Sequence, residues 1–169
     1  MKTDTGILQV GETLLREKSS AVEKVDSEVR AILDAMVAAM SASEGAGLAA
    51  PQVGVLKRMF IFRPTKDSAV VKMINPRLCE FSKNSVSLEE GCLSVLGPKG
   101  PVYAHVSRPE KVRVEWTDET GAPRSETFDG IPSRIIQHEF DHLEGVLFID
   151  YVSSLKRAMI MQKVKKAQS

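Results

Sequence analysis

Two cysteines, Cys79 and Cys92, are all that 169 residues contain. They stand at unrelated positions, so no disulfide framework holds this chain, and a thiolate in it needs a reducing or metal-protected setting. Net charge is lacking too. At +1 there is no overall field to draw the chain to nucleic acid or a membrane, and neither is an expected partner. No apolar run approaches the length that spans a bilayer, and Met1-Lys2-Thr3-Asp4 has no apolar signal core, so the cytoplasm is the expected compartment. Repeats, low-complexity segments and long linkers are missing. What remains, 43% hydrophobic and 27% charged residues, predicts one domain over residues 1–169 with a sizeable core.

The apolar pattern mixes helix and strand. Asp26 can cap a first helix in which Val29, Ile32, Leu33, Met36, Val37 and Met40 keep helical spacing. Methionines at such positions read as packing. A glycine-rich turn at Gly45 and Gly47 follows; it lacks the third glycine of a dinucleotide fingerprint and the Lys-Ser/Thr of a phosphate loop. Strand-like runs come next at Val55–Phe62, Ala69–Ile74 and Leu78–Phe81. Val112, Val114 and Trp116 alternate with polar residues, and Asp118-Glu119-Thr120-Gly121 turns that strand into a hairpin with Arg124–Phe128. A helix capped at Asp129-Gly130, with Pro132 in its first turn and Gly145 past its end, precedes a last helix from about Ser154.

The helix before Gly145 carries His138-Glu139-Phe140-Asp141-His142. Histidines four apart share one helix face, so both rings can reach one metal ion, and a glutamate beside the first can act on a water there. A surface helix with polar residues by accident is the plain alternative. The third ligand is missing from the usual places. Phe148 stands where an extended zinc-peptidase motif has its last histidine. The stretch from Tyr151 to Ser169 holds no Asp or Glu, so a glutamate on a following helix is excluded. Upstream, Cys79, Cys92, His105 and the carboxylates stay open. Cys79, in Leu78-Cys79-Glu80-Phe81, reads as a buried strand residue. His105, in an irregular stretch between Pro101 and Pro109, reads as a surface residue. Cys92 follows Gly91, and a thiolate with two imidazoles is a known catalytic arrangement.

Three motifs in order resemble the peptide deformylase family: Gly45-Ala46-Gly47-Leu48-Ala49-Ala50-Pro51-Gln52, Glu90-Gly91-Cys92-Leu93-Ser94, and Gln137-His138-Glu139-Phe140-Asp141-His142. The similarity runs from Ile7-Leu8-Gln9 to the terminal helix. It implies an α+β fold, a single compact domain with antiparallel or mixed sheets around a central metal-binding helix, and helices at the N- and C-terminal ends. It implies Cys92, His138 and His142 as metal ligands and Glu139 as the catalytic acid–base. The Gln52 side chain and the Leu93 backbone N–H would be donors to the oxygen that gains charge. The implied metal is Fe(II) in the cell, with Zn(II), Ni(II) or Co(II) able to substitute. The implied substrate is the N-formyl-methionyl nascent peptide, deformylated to release formate. Gly45, Ala46, Gly47, Glu90 and Gly91 would line the peptide path, with Leu88, Ile131 and Ile135 as walls of the methionine pocket.

Several residues depart from the family pattern. Ala46 replaces a branched aliphatic residue and should loosen the pocket wall. Val95-Leu96-Gly97-Pro98-Lys99-Gly100-Pro101 replaces a shorter loop with an early proline and should reshape the entrance to the cleft. Arg134 replaces aliphatic character and is expected at the rim or in solvent, since a buried guanidinium without a partner is costly. Asp141, out of ligand spacing, is expected to pair with Arg108. The basic terminal helix, with Lys156, Arg157, Lys163, Lys165 and Lys166, suggests ribosome docking. A metal-dependent peptidase or amidase on the same scaffold, or a non-catalytic peptide- or ribosome-binding relative, would be the alternatives.

Overall fold

The computed structural model describes residues 6–168; Met1–Asp4, read above for a signal core, lie outside them. Five antiparallel strands form the main sheet in the order β1 (Gly47–Ala49), β2 (Met59–Phe62), β3 (Val71–Phe81), β8 (Lys111–Thr117) and β9 (Pro123–Asp129). Strands β4 (Ser85–Glu90) and β7 (Ala104–Pro109) make a separate antiparallel pair, and β5 (Leu96–Gly97) with β6 (Gly100–Pro101) a short hairpin. No named pair is parallel; the parallel contact among described residues is the isolated bridge Ser20–Lys57.

Strand β2 explains the layering. All four of its residues, Met59-Phe60-Ile61-Phe62, are fully buried. Side chains alternate across a strand, so Met59 and Ile61 meet Leu33, Met36 and Met40 of helix α1 (Ser27–Ala42). Phe60 and Phe62 meet Ile136 and Leu143 of helix α2 (Gly130–Leu143). A continuous apolar run is what a strand covered on both faces requires. The α1 stripe is core as expected, and the Asp26 side chain accepts from the Val29 N–H at its start. Helix α3 (Ser154–Gln168) packs Ile160 and Val164 into a third cluster with Val95, Val102, Val106 and Phe148.

Some expected elements take another form. The runs at Ala69–Ile74 and Leu78–Phe81 are one strand, β3, whose register shifts on either side of Arg77 and Leu78. Pro76 lies inside this strand, at the first register shift, where a bulge accommodates it. Asn75, at φ 49°, turns its side chain to both the N–H and the C=O of Val22. The run from Val55 yields a strand only from Met59. His105 sits on β7, not in an irregular stretch; Ala104, Val106 and Arg108 face inward and His105 outward. Cys79 is on a strand but only half-buried. Asp129 holds the N-cap position of α2 without capping it, because its carboxylate pairs with Lys111 at 2.9 Å.

The end of α2 is held tightly. Gly145 has φ 73°, and a Cβ there would collide with the Arg16 carbonyl. We expect Gly145→Ala to cost about 1–3 kcal/mol through backbone strain alone, with the steric clash adding to it, read as a lower urea midpoint at unchanged slope.

Candidate metal centre and cleft

Helix α2 is no surface helix. Of its polar residues Ser133, Arg134, Gln137, His138, Glu139 and His142 are all buried. His138 and His142 lie one turn apart with ring centroids 5.2 Å from each other. Cys92, two residues past the end of β4, brings its Sγ to 3.3 Å from His142 Nε2. The donor atoms of Cys92, His138 and His142 all lie within 4.8 Å of one another, and all three residues are buried. A thiolate with two imidazoles suits the later first-row transition metals rather than magnesium or calcium. Phe148, in the place of a third histidine, stacks on the His138 ring at 6.1 Å.

The outer partners fix the histidines. His138 Nδ1 is 3.0 Å from Glu90 Oε2, which leaves Nε2 for a metal, the usual carboxylate–histidine arrangement. Glu90 also accepts from Arg108 at 2.5 and 3.0 Å and from Arg134 at 2.7 Å. Burial by itself would raise the Glu90 carboxyl, but the bonds from His138 and Arg108 outweigh it and hold its pKa at about 2. Arg108 reaches Asp141 as well, at 2.9 Å, the expected pair. Burial favours the neutral His142, and the positive charge of His138 and Arg108 adds to that. A neutral ring is the form that binds metal.

Glu139 lies against β1. A Cβ at Gly47 would sit 2.5 Å from its Oε1, so any side chain there would push the carboxylate aside. Glu139 Oε2 is buried with no hydrogen-bond partner among the described residues. Burial raises its pKa to about 7. Gln52 serves two ends at once. Its Oε1 accepts from the Ala49 N–H at 2.8 Å, while Nε2 lies 3.0 Å from Ser94 Oγ and 3.5 Å from Cys92 Sγ.

A cleft of about 490 Å³ opens onto these groups. Its lining brings together the anticipated Gly45, Ala46, Gly47, Gln52, Glu90, Gly91, Cys92, Leu93, Ile131, Ile135, His138 and Glu139. Leu88 is not among them; it is 39% exposed on β4. The Glu90 side chain, expected beside the peptide, is engaged by His138 and the two arginines instead. Arg134 is buried, not at the rim, because Glu90 and the carbonyls of Val86 and Val106 partner its guanidinium. Tyr103 and Pro101 also line the cleft. Pro101 ends the Val95–Pro101 segment that is expected to shape the entrance; Tyr103 lies outside it. No local signal marks Tyr103; it reaches the cleft because β7 begins just after it.

Glu90 ties this network together, and its loss should be visible twice. Its folded pKa lies below the ordinary 4.5, so its stabilisation is complete above that pH and disappears as pH falls toward 2. Chelator-treated protein should lose on the order of 3 kcal/mol of stability over that window. Glu90→Gln should flatten the acid limb of the denaturation profile and weaken metal retention by about 10–100-fold.

The geometry agrees with what known proteins show. A family model described as polypeptide deformylase matches residues 5–158. The peptide deformylase of Maricaulis maris is 42% identical, covering 96% of this chain and 92% of that protein. That of Rhizorhabdus wittichii is also 42% identical, covering 96% and 94%. The crystal structure of the peptide deformylase from Ehrlichia chaffeensis superposes with a TM-score of 0.91 at 35% identity, covering 96% of each chain. A second structure from that organism, in complex with actinonin, gives 0.90 at 36% identity and 98% coverage of each. With the fold, the donor set and the three motifs in agreement, this chain belongs to the polypeptide deformylase family.

Proposed function

We propose that this chain is a metal-dependent amide hydrolase that removes the formyl group from N-terminal formyl-methionine of nascent peptides and releases formate. The observation that carries the reading is the convergence of Cys92, His138 and His142 beside the cleft, next to the buried Glu139 carboxylate, whose Oε2 has no hydrogen-bond partner among the described residues. A divalent ion held by those three residues supplies, when bound, a Lewis acid for the formyl carbonyl and for water.

The chain's own groups account for the rest. Glu139, raised to about 7, takes the proton of the attacking water and hands it to the departing amine. The formyl oxygen gains negative charge during attack, and the Gln52 side-chain amide and the Leu93 backbone N–H are its donors. The Ala49 N–H and Ser94 hydroxyl hold the Gln52 amide beside Cys92. Gly45, Ala46, Gly47 and Gly91 offer backbone along which an extended peptide can pair. We read the metal in the cell as Fe(II), with Zn(II), Ni(II) or Co(II) as substitutes; thiolate–imidazole ligation and family membership support this. Oxygen-labile activity is the corresponding signature.

No described helix is long and apolar enough to cross a membrane, and the cytoplasm is the proposed compartment. The exposed basic face of α3, flanked by exposed Leu155 and Met159, is the proposed ribosome-docking surface. Binding of the full chain to ribosomes should weaken steeply with salt; salt-insensitive or absent binding removes that role.

The decisive assay is formate release from a formyl-methionyl peptide by protein loaded anaerobically with Fe(II). Glu139→Gln should lower kcat by about 10²–10⁴, and Gln52→Leu by about 10²–10³. Chelation should abolish turnover in the wild type, and iron should restore it.

A further inference from the structure

Arg134 has no part in the reaction described above, yet it is buried and lines the cleft. It precedes His138 by four residues, as Ile135 precedes Glu139. Both therefore lie one turn, about 5.4 Å, along α2 from the groups that meet the formyl end. A formyl group delivered to His138 and Glu139 puts the first residue's side chain within reach of Ile131, Arg134 and Ile135. The two isoleucines supply apolar walls. The guanidinium supplies something a methylene cannot use.

Its hydrogen bonds define what it offers. Nη1 donates to Glu90 Oε1 at 2.7 Å and to the Val106 carbonyl at 2.8 Å, and Nη2 donates to the Val86 carbonyl. The Nε–H takes part in none of them. Glu90 balances the charge, so the group acts toward the cleft as a fixed donor rather than a free cation. A donor facing a side chain with no acceptor loses a hydrogen bond that water would have made. A thioether sulfur is a weak acceptor, a sulfoxide oxygen a strong one, and a methylene none.

We propose that Arg134 is a specificity-determining residue, placing a donor in the pocket for the first side chain so that methionine and methionine sulfoxide are favoured over isosteric norleucine. This rests on the proposed deformylation and deepens it. The experiment compares kcat/KM of the iron-loaded full chain on formyl peptides that differ only in the first residue: methionine, methionine sulfoxide or norleucine. The wild type should favour the sulfoxide over norleucine by about tenfold, with methionine between. Arg134→Met should bring the sulfoxide-to-norleucine ratio to about one or below. Loss of packing alone would lower all three peptides together and leave the ratio where it was. A wild-type ratio of one or less overturns the inference without any variant, as does a ratio unmoved by Arg134→Met. Absence of formate from every peptide overturns the deformylase reading and this inference with it, whereas formate release without the preference overturns this inference alone.

Discussion

The Glu90 carboxylate accepts from the His138 ring and from two guanidiniums, and so ties β4, β7 and α2 into one unit. Burying such a group alone would be prohibitive, and a buried ion pair seldom gains much over an apolar replacement. Here two guanidiniums, Arg108 and Arg134, meet two carboxylates, Glu90 and Asp141. Removing any one member leaves an uncompensated charge in the interior, which is the costly case. The network is therefore better understood as a positioning device than as a source of net stability. It orients the first histidine, and it closes the gap between the two-stranded sheet and the helix on which both histidines ride.

Much of this was legible in the chain. The histidine pair, the glutamate and the need for an upstream ligand follow from helical spacing and from what is absent after Tyr151. Family resemblance placed Cys92, Gln52 and the Arg108–Asp141 pair. The misses share a physical cause. Arg134 was expected outside because its partners, Glu90 and two strand carbonyls, are distant in sequence; burial costs cannot be judged without them. Strand β7 went unread because Arg108 occupies an inward position, so that its alternation of burial is not an alternation of hydrophobicity. The two runs of β3 read as separate strands because the bulge that joins them is a tertiary accommodation. Leu88, a pocket wall by family resemblance, is 39% exposed on β4 and does not line the cleft, which Ile131, Ile135 and Tyr103 do.

The two covered faces of β2 show how the site is supported from behind. Phe60 and Phe62 press on the helix that carries the histidines, while Met59 and Ile61 press on α1. Close packing of this sort transmits small displacements rather than absorbing them. The approach of Gly47 to Glu139 belongs to the same construction: a strand without a side chain lies against the carboxylate and buries it.

His138, Glu139 and His142 share their helix with Ile131, Arg134 and Ile135. Under the proposed function, the metal-binding and acid–base residues and the pocket wall thus form a single rigid rod, with no joint between them along which one half could be re-aimed. On that reading, a change of preference in this chain that spares turnover has to come from exchanging individual side chains a turn away from the histidines.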